Sequence, residues 1–286
     1  MALPVGVGSA EEQQAFLQEH ARFIARYPFL NTVVEKALCR PLASPPQPEV
    51  DRLKGRCHDD LGVIALEDRT TTDRVVFFLG RIAADDFGEI LILSGNGRGI
   101  GAYKVLRGMY ERVVHAVYFD QNEWASRLLV RKSHVDKAKL ATRLLEFGID
   151  LLADYSDQDR VDLERRATDA KNDKRLLNLV DMAQKSGQRL KELYGPCYLE
   201  PTIHHHANAF GMERRLLRQP GGGFTYNEGS YRPQVRNVLC LGHNMLLQNL
   251  HLQNNHFNLG LEGEVQKCFD AFTEIWGNRS TSNDRD

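Results

Sequence analysis

Residues 97–119, GRGIGAYKVLRGMYERVVHAVYF, decide the fold, because they admit two incompatible readings. In the first, ILILSGNGRGIGAYKVL is a strand, a glycine loop and a helix cradling a dinucleotide. Gly97, Gly99 and Ala102 fit G-x-G-x-x-A, and Asp120 follows at about the 20-residue distance expected of a ribose-binding acid. That fold needs a second strand over Val113–Phe119, yet no turn residue separates this run from the preceding helix. Val105, Leu106, Met109, Tyr110, Val113, Val114 and Val117 recur at steps of three and four, which is helical phase. The second reading, one unbroken helix from near Gly101 to about Phe119, is therefore preferred, and no cofactor is expected.

Working outward, Thr72–Ser94 carries Val75, Val76, Leu79, Ile82, Ala83, Phe87, Ile90, Leu91 and Leu93 in helical register. It stops at Gly95-Asn96-Gly97, a natural C-terminal cap. The glycines then punctuate two helices. Ser9 with Glu12 resembles a capping box opening a helix from about Ala10 to Tyr27, with Pro28 at a bend and Asn31–Leu38 as a short helix beyond it. PLASPPQPE, residues 41–49, reads as a proline-rich spacer. Downstream of Asp120 come a long helical region, an interleaved charge run over residues 154–174, and an apolar face over Leu176–Leu193. Pro201 is placed as the first residue of a further helix. Residues 219–233, QPGGGFTYNEGSYRP, read as a glycine-rich loop, residues 234–254 as a helix, and Leu261–Trp276 as the last one. The expected architecture is all-α, an irregular multi-helix bundle with no sizeable β-sheet. The expected organisation is an N-terminal helical segment 1–40, a linker 41–60, the main bundle 61–276 and a disordered tail 277–286.

Composition limits the function classes. The 286 residues are 42% hydrophobic, with 37 basic and 38 acidic side chains and a net charge of −1. No global field advertises nucleic acid or an anionic membrane, so RNA is a candidate partner that net charge does not favour. Five cysteines without C-x-x-C spacing read as free thiols. No eighteen-residue apolar run occurs and the N-terminus lacks a leader pattern, so a soluble, cytoplasmic protein without a membrane partner is expected. An oligomer is compatible with everything above.

Arg107, Glu111 and His115 stand four residues apart on the central helix, each about 40° round from the last, in a row about 12 Å long. Guanidinium grips a phosphate or carboxylate, Glu orients or accepts a proton, and imidazole titrates near neutrality. The same row also fits the wet side of an amphipathic helix. In YGPCYLEPTIHHHANAF, Tyr194–Phe210, a helix from Pro201 puts Thr202, His206 and Phe210 on one face. His204, His205 and His206 point about 100° apart, so at most one faces a shared site.

Leu106-Arg107-x-x-x-Glu111 on a long helix, followed by Tyr198-x-x-x-Thr202-x-x-x-His206, resembles the uncharacterised all-helical domain-of-unknown-function family numbered 5677. There an Arg-x-x-x-Glu helix is followed by a Ser-x-x-x-His element. The likeness runs from about Asp73 to Trp276, with Thr202 where serine is usual. It implies a helical bundle and Arg107, Glu111 and His206 as a joint polar site, to which helix spacing and the histidine run add His115, Thr202 and His205 as candidate contributors. It implies no established reaction.

Three functions fit such a bundle. The first is a binding or assembly module for an unknown small or anionic ligand. The second is a metal-independent ribonuclease of the HEPN type, with His as base and Arg steadying phosphorane charge. Arg52–His58, Arg127–His134 and Arg236–His243 match its Arg-to-His spacing, but about three such matches arise by chance in a chain with ten histidines. The third is a metal-dependent enzyme using Glu111, His115 and His206, which the neighbouring Arg107 opposes. The module reading ranks first, and no metal is expected.

Overall fold

A computed structural model describes residues 10–39, 68–171, 178–205, 216–226 and 232–277. The helices are α1 (Ala10–Glu19), α2 (Ala21–Leu38), α3 (Asp68–Gly95), α4 (Gly99–Gln121), α5 (Glu123–Leu145) and α6 (Asp157–Lys171). After them come α7 (Leu179–Lys185), α8 (Gln188–Tyr194), a π-helical turn at Gly195–Leu199 and α9 (Glu200–His205). A three-residue hairpin, β1 (Leu216–Arg218) with β2 (Phe224–Tyr226), precedes α10 (Arg232–Phe257) and α11 (Glu262–Trp276). The architecture is an all-α bundle, as the periodicity requires. The proline-rich stretch 41–60 and residues 278–286 lie outside the described residues.

The glycine cluster separates two helices, and the strand that dinucleotide binding needs is absent there, because α3 enters it. Gly97 adopts φ +68°, its N–H reaches the Ser94 carbonyl, and the Arg98 N–H reaches Leu93 O at 2.8 Å. This left-handed closure satisfies the last carbonyls of α3.

The central helix α4 is the axis of the bundle. It buries eleven residues, Leu106, Met109, Tyr110 and Val113 among them, because apolar side chains occupy its circumference apart from the stripe of Lys104, Arg107, Glu111 and His115. α3, α10 and α9 pack directly on it. Helices α1 and α2 contribute Phe16, Phe23, Leu30 and Val33 to the same apolar core. α10 adds an unusual contact, because Asn249 donates to Gly80 O at 2.8 Å and Gln253 to Val76 O at 3.0 Å, both buried. Gly80 leaves the α3 backbone bare where these amides land.

Three local expectations are corrected. The first break falls at His20, not Pro28: α2 runs through Pro28, whose ring is exposed, at the cost of the one hydrogen bond that its missing N–H would make to the Ile24 carbonyl. Pro201 does not begin a fresh helix. The chain is helical from Gln188 to His205, and a π turn with Glu200 N–H on Gly195 O absorbs the proline. Pro201 has no N–H for the i−4 carbonyl, and widening the preceding turn lets the backbone continue. Finally, the loop expected over 219–233 includes β2, which pairs with β1 through Leu216 opposite Tyr226 and Arg218 opposite Phe224. Gly221, Gly222 and Gly223 all take positive φ at its tip, a turn that residues with a Cβ resist.

Candidate functional site

α4 presents Arg107 toward the π turn. Its Nη2 donates to the Tyr198 hydroxyl at 3.2 Å, and Cζ lies 4.8 Å from the centre of the Tyr198 ring. Nε lies 3.4 Å from Glu111 Oε1, with the Arg107 side chain 19% exposed and Glu111 37%. The expected Arg–Glu pair therefore forms, and Tyr198 completes it as both hydrogen-bond acceptor and cation–π platform. Tyr198 is held in turn by stacking on Tyr194, 5.2 Å between ring centres, and by Tyr110 at 6.3 Å. Tyr110 is anchored through its hydroxyl to Leu190 O at 2.8 Å. Burial pushes the Tyr110 phenol above its ordinary value, the neighbouring Cys197 and Tyr194 adding to it, so it stays a neutral donor. The π turn is what brings Tyr194 and Tyr198 onto α4 together, and such turns recur at functional sites.

The remaining expected members divide. His115 lies on α4, but its Nδ1 faces the Glu111 backbone carbonyl at 2.7 Å and its ring rests near Phe119. A carbonyl only accepts, so Nδ1 carries the proton. Burial lowers the His115 pKa, with the Glu111 hydrogen bond opposing, and the neutral imidazole is the form at pH 7. Thr202 donates to Tyr198 O at 2.6 Å, fixing the turn that carries Tyr198. His204 is buried, its ring 6.1 Å from Tyr103 of α4. The His205 side chain and all of His206 lie outside the described residues. Among the described residues no group of three His, Cys, Asp or Glu side chains converges as a metal site.

Of the Arg-to-His spacings, Arg52–His58 also lies outside the described residues, while His134 is buried. His243 is buried as well and accepts from Trp276 Nε1 at 3.2 Å. Burial lowers its pKa to about 4, so it is a weak base at neutral pH.

A second polar cluster escaped the sequence reading. His256, near the end of α10, is bracketed by two carboxylates: Nδ1 to Asp120 Oδ1 at 2.5 Å and Nε2 to Asp73 Oδ1 at 2.9 Å. Burial works against a charge on His256, but the hydrogen bonds and charges of Asp120 and Asp73 outweigh it and hold its pKa above the ordinary value. With both nitrogens donating, the ring is an imidazolium that ties α3, α4 and α10 together. Its two nitrogens point in opposite directions, so the carboxylates cannot join it on one metal ion. The partners lie 136 and 183 residues away along the chain, and no local spacing announces them.

Both clusters draw on the stretch that comparison with known proteins picks out. No curated protein and no solved structure matches the chain. Residues 73–224 match the family of unknown function DUF5677, a span that opens at Asp73, contains Arg107, Glu111, Asp120, Tyr198 and Thr202, and ends short of His256 and of Trp276. Because that span exceeds half of the chain, the protein belongs to the family of unknown function DUF5677.

Proposed function

We propose that this chain is a helical binding module, and that Arg107 is where it grips the anionic group of a small ligand. The observation that carries the reading is the guanidinium's tethering. Nη2 is held by Tyr198, Glu111 stands at ion-pair distance from Nε without hydrogen-bonding it, and the ring of Tyr198 supports its face, and none of these contacts occupies Nη1. A guanidinium held by one hydrogen bond and a ring beneath it loses little freedom on binding, which favours a bidentate or charge-assisted contact. Glu111 sets the orientation and tempers the positive charge, so selectivity comes from geometry more than from field strength. A ribonuclease of the HEPN type would set a histidine base beside Arg107, whereas among the described residues the contacts of Arg107 are a phenol and a carboxylate.

The test is calorimetric titration of the purified chain with inorganic phosphate and with citrate. Saturable binding that Arg107→Ala abolishes and Arg107→Lys weakens at least tenfold supports the reading, since lysine cannot reproduce the planar fork. Equal binding by wild type and Arg107→Ala, with circular dichroism unchanged, overturns it. Cleavage of single-stranded RNA in EDTA that vanishes in His206→Ala would put the ribonuclease reading in its place.

A further inference from the structure

Helices α5 and α6 form an antiparallel arm. α5 is attached to the bundle by the end that follows Asn122: Ala125, Ser126 and Leu128 are buried there, and α3 and α4 pack against it. α6 packs on α5. Beyond Lys137 the arm thins to two helices, and Leu163 is the buried side chain among the described residues 137–171. Two helices alone cannot enclose an apolar face.

The arm nevertheless carries one. Leu140, Leu145, Phe147, Ile149, Leu151 and Val161 are each more than 40% exposed, and Phe147 reaches 78%. Five of these six fall within twelve consecutive residues around the tip. The tip is not a loose excursion, since Arg160 ties it back by donating to Leu152 O at 2.6 Å and to Asp150 at 2.9 Å. Lys137 of α5 donates to the hydroxyl of Tyr155 in the segment that leads into α6. An ordered, contiguous apolar surface of this kind marks an interaction site.

Charge identifies the occupant. α5 carries six Lys or Arg against two acids. Its exposed Arg131, Lys132, Lys139 and Arg143 make no ion pair among the described residues, and neither do Glu146, Asp154 and Asp157 at the tip and the start of α6. The shaft is thus basic on α5 and close to balanced on α6, whose acids and bases alternate, and the arm is acidic around its apolar end. A second arm laid antiparallel on the first, α5 to α5, places acidic tip against basic α5 twice over, with the apolar residues alongside. This is the self-complementarity that a two-fold interface requires. We infer that the chain forms a homodimer through residues 137–161, the two arms building a four-helix bundle. The inference stands apart from the Arg107 site and does not depend on it.

Sedimentation equilibrium of the full chain tests it. The expected mass approaches twice 32.5 kDa at concentrations up to about 100 μM, a range that captures transient interfaces of standard size. Phe147→Asp, at a side chain with few contacts in its own chain, should give a monomer with unchanged circular dichroism. Lys139→Glu combined with Arg143→Glu should weaken the dimer at least tenfold at low salt, and the wild-type dimer should itself weaken as salt is raised. A monomeric mass throughout, or a dimer indifferent to Phe147→Asp, overturns the inference.

Discussion

Arg107 loses four-fifths of its side-chain surface, and a charge so placed needs compensating contacts, which here come from the Glu111 charge and from Tyr198. Tyr198 supplies two kinds of contact at once, and they separate by substitution. Tyr198→Phe keeps the ring beneath the guanidinium and deletes the hydroxyl acceptor, so urea denaturation should show a loss of about 1 kcal/mol. Tyr198→Ala should cost more by also removing the stack with Tyr194. Equal losses for the two would refute the platform role. His256 answers to pH. Its folded pKa lies above the unfolded value, so its pairing with Asp73 and Asp120 stabilises fully below about pH 6.5. That contribution fades as pH rises through the folded pKa. The stability gap between wild type and His256→Asn, followed by thermal melts from acid to alkaline pH, should therefore be widest on the acid side and shrink upward. A gap independent of pH would mean that the ring serves by packing alone.

Between elements, packing turns on where the α3 backbone is uncovered. A Cβ at Gly80 would land on Gln253 Nε2 and lie 2.9 Å from Asn249 Oδ1, displacing two buried amides from the carbonyls they serve. Gly80→Ala is favoured by helix propensity by about 1 kcal/mol. The overpacking and unpaired amides should reverse that to a net loss of about 2 kcal/mol, read as a lower denaturation midpoint. A stabilised Gly80→Ala would show that α10 can slide without cost. Helix identities were legible because each buried stripe repeats at three and four residues, from Val75 to Leu93 and again from Val105 to Val117. Pro28 and Pro201 misled for one shared reason: a proline forbids one hydrogen bond, and whether the helix ends there depends on what receives the released carbonyl. At Pro28 the helix runs on past the lost bond, and a widened turn accommodates Pro201. Neither remedy is written in local sequence.

Across the molecule, the Arg107–Glu111 pair was readable because both residues sit on one helix, whereas Tyr198 joins them across 91 residues and Asp73–His256–Asp120 spans three helices. Sequence periodicity places faces, but only tertiary packing says which faces meet. The same packing grades the stability of the parts. α4 is enclosed by α3, α10 and α9, with Tyr103, Leu106, Met109 and Tyr110 at most 1% exposed, so its amides open only when the whole bundle does. The arm beyond Lys137 has Leu163 as its buried anchor and leaves Phe147 and Leu145 in solvent, so little free energy opposes its local opening. Hydrogen exchange followed by mass spectrometry on the monomeric Phe147→Asp variant should label residues 137–171 first and α4 last. In wild type at high concentration the arm should slow selectively while α4 is unchanged, because association covers the arm alone. Arm and α4 amides exchanging at one common rate in the variant would mean that the chain opens as a single cooperative unit, with the arm as well held as its axis.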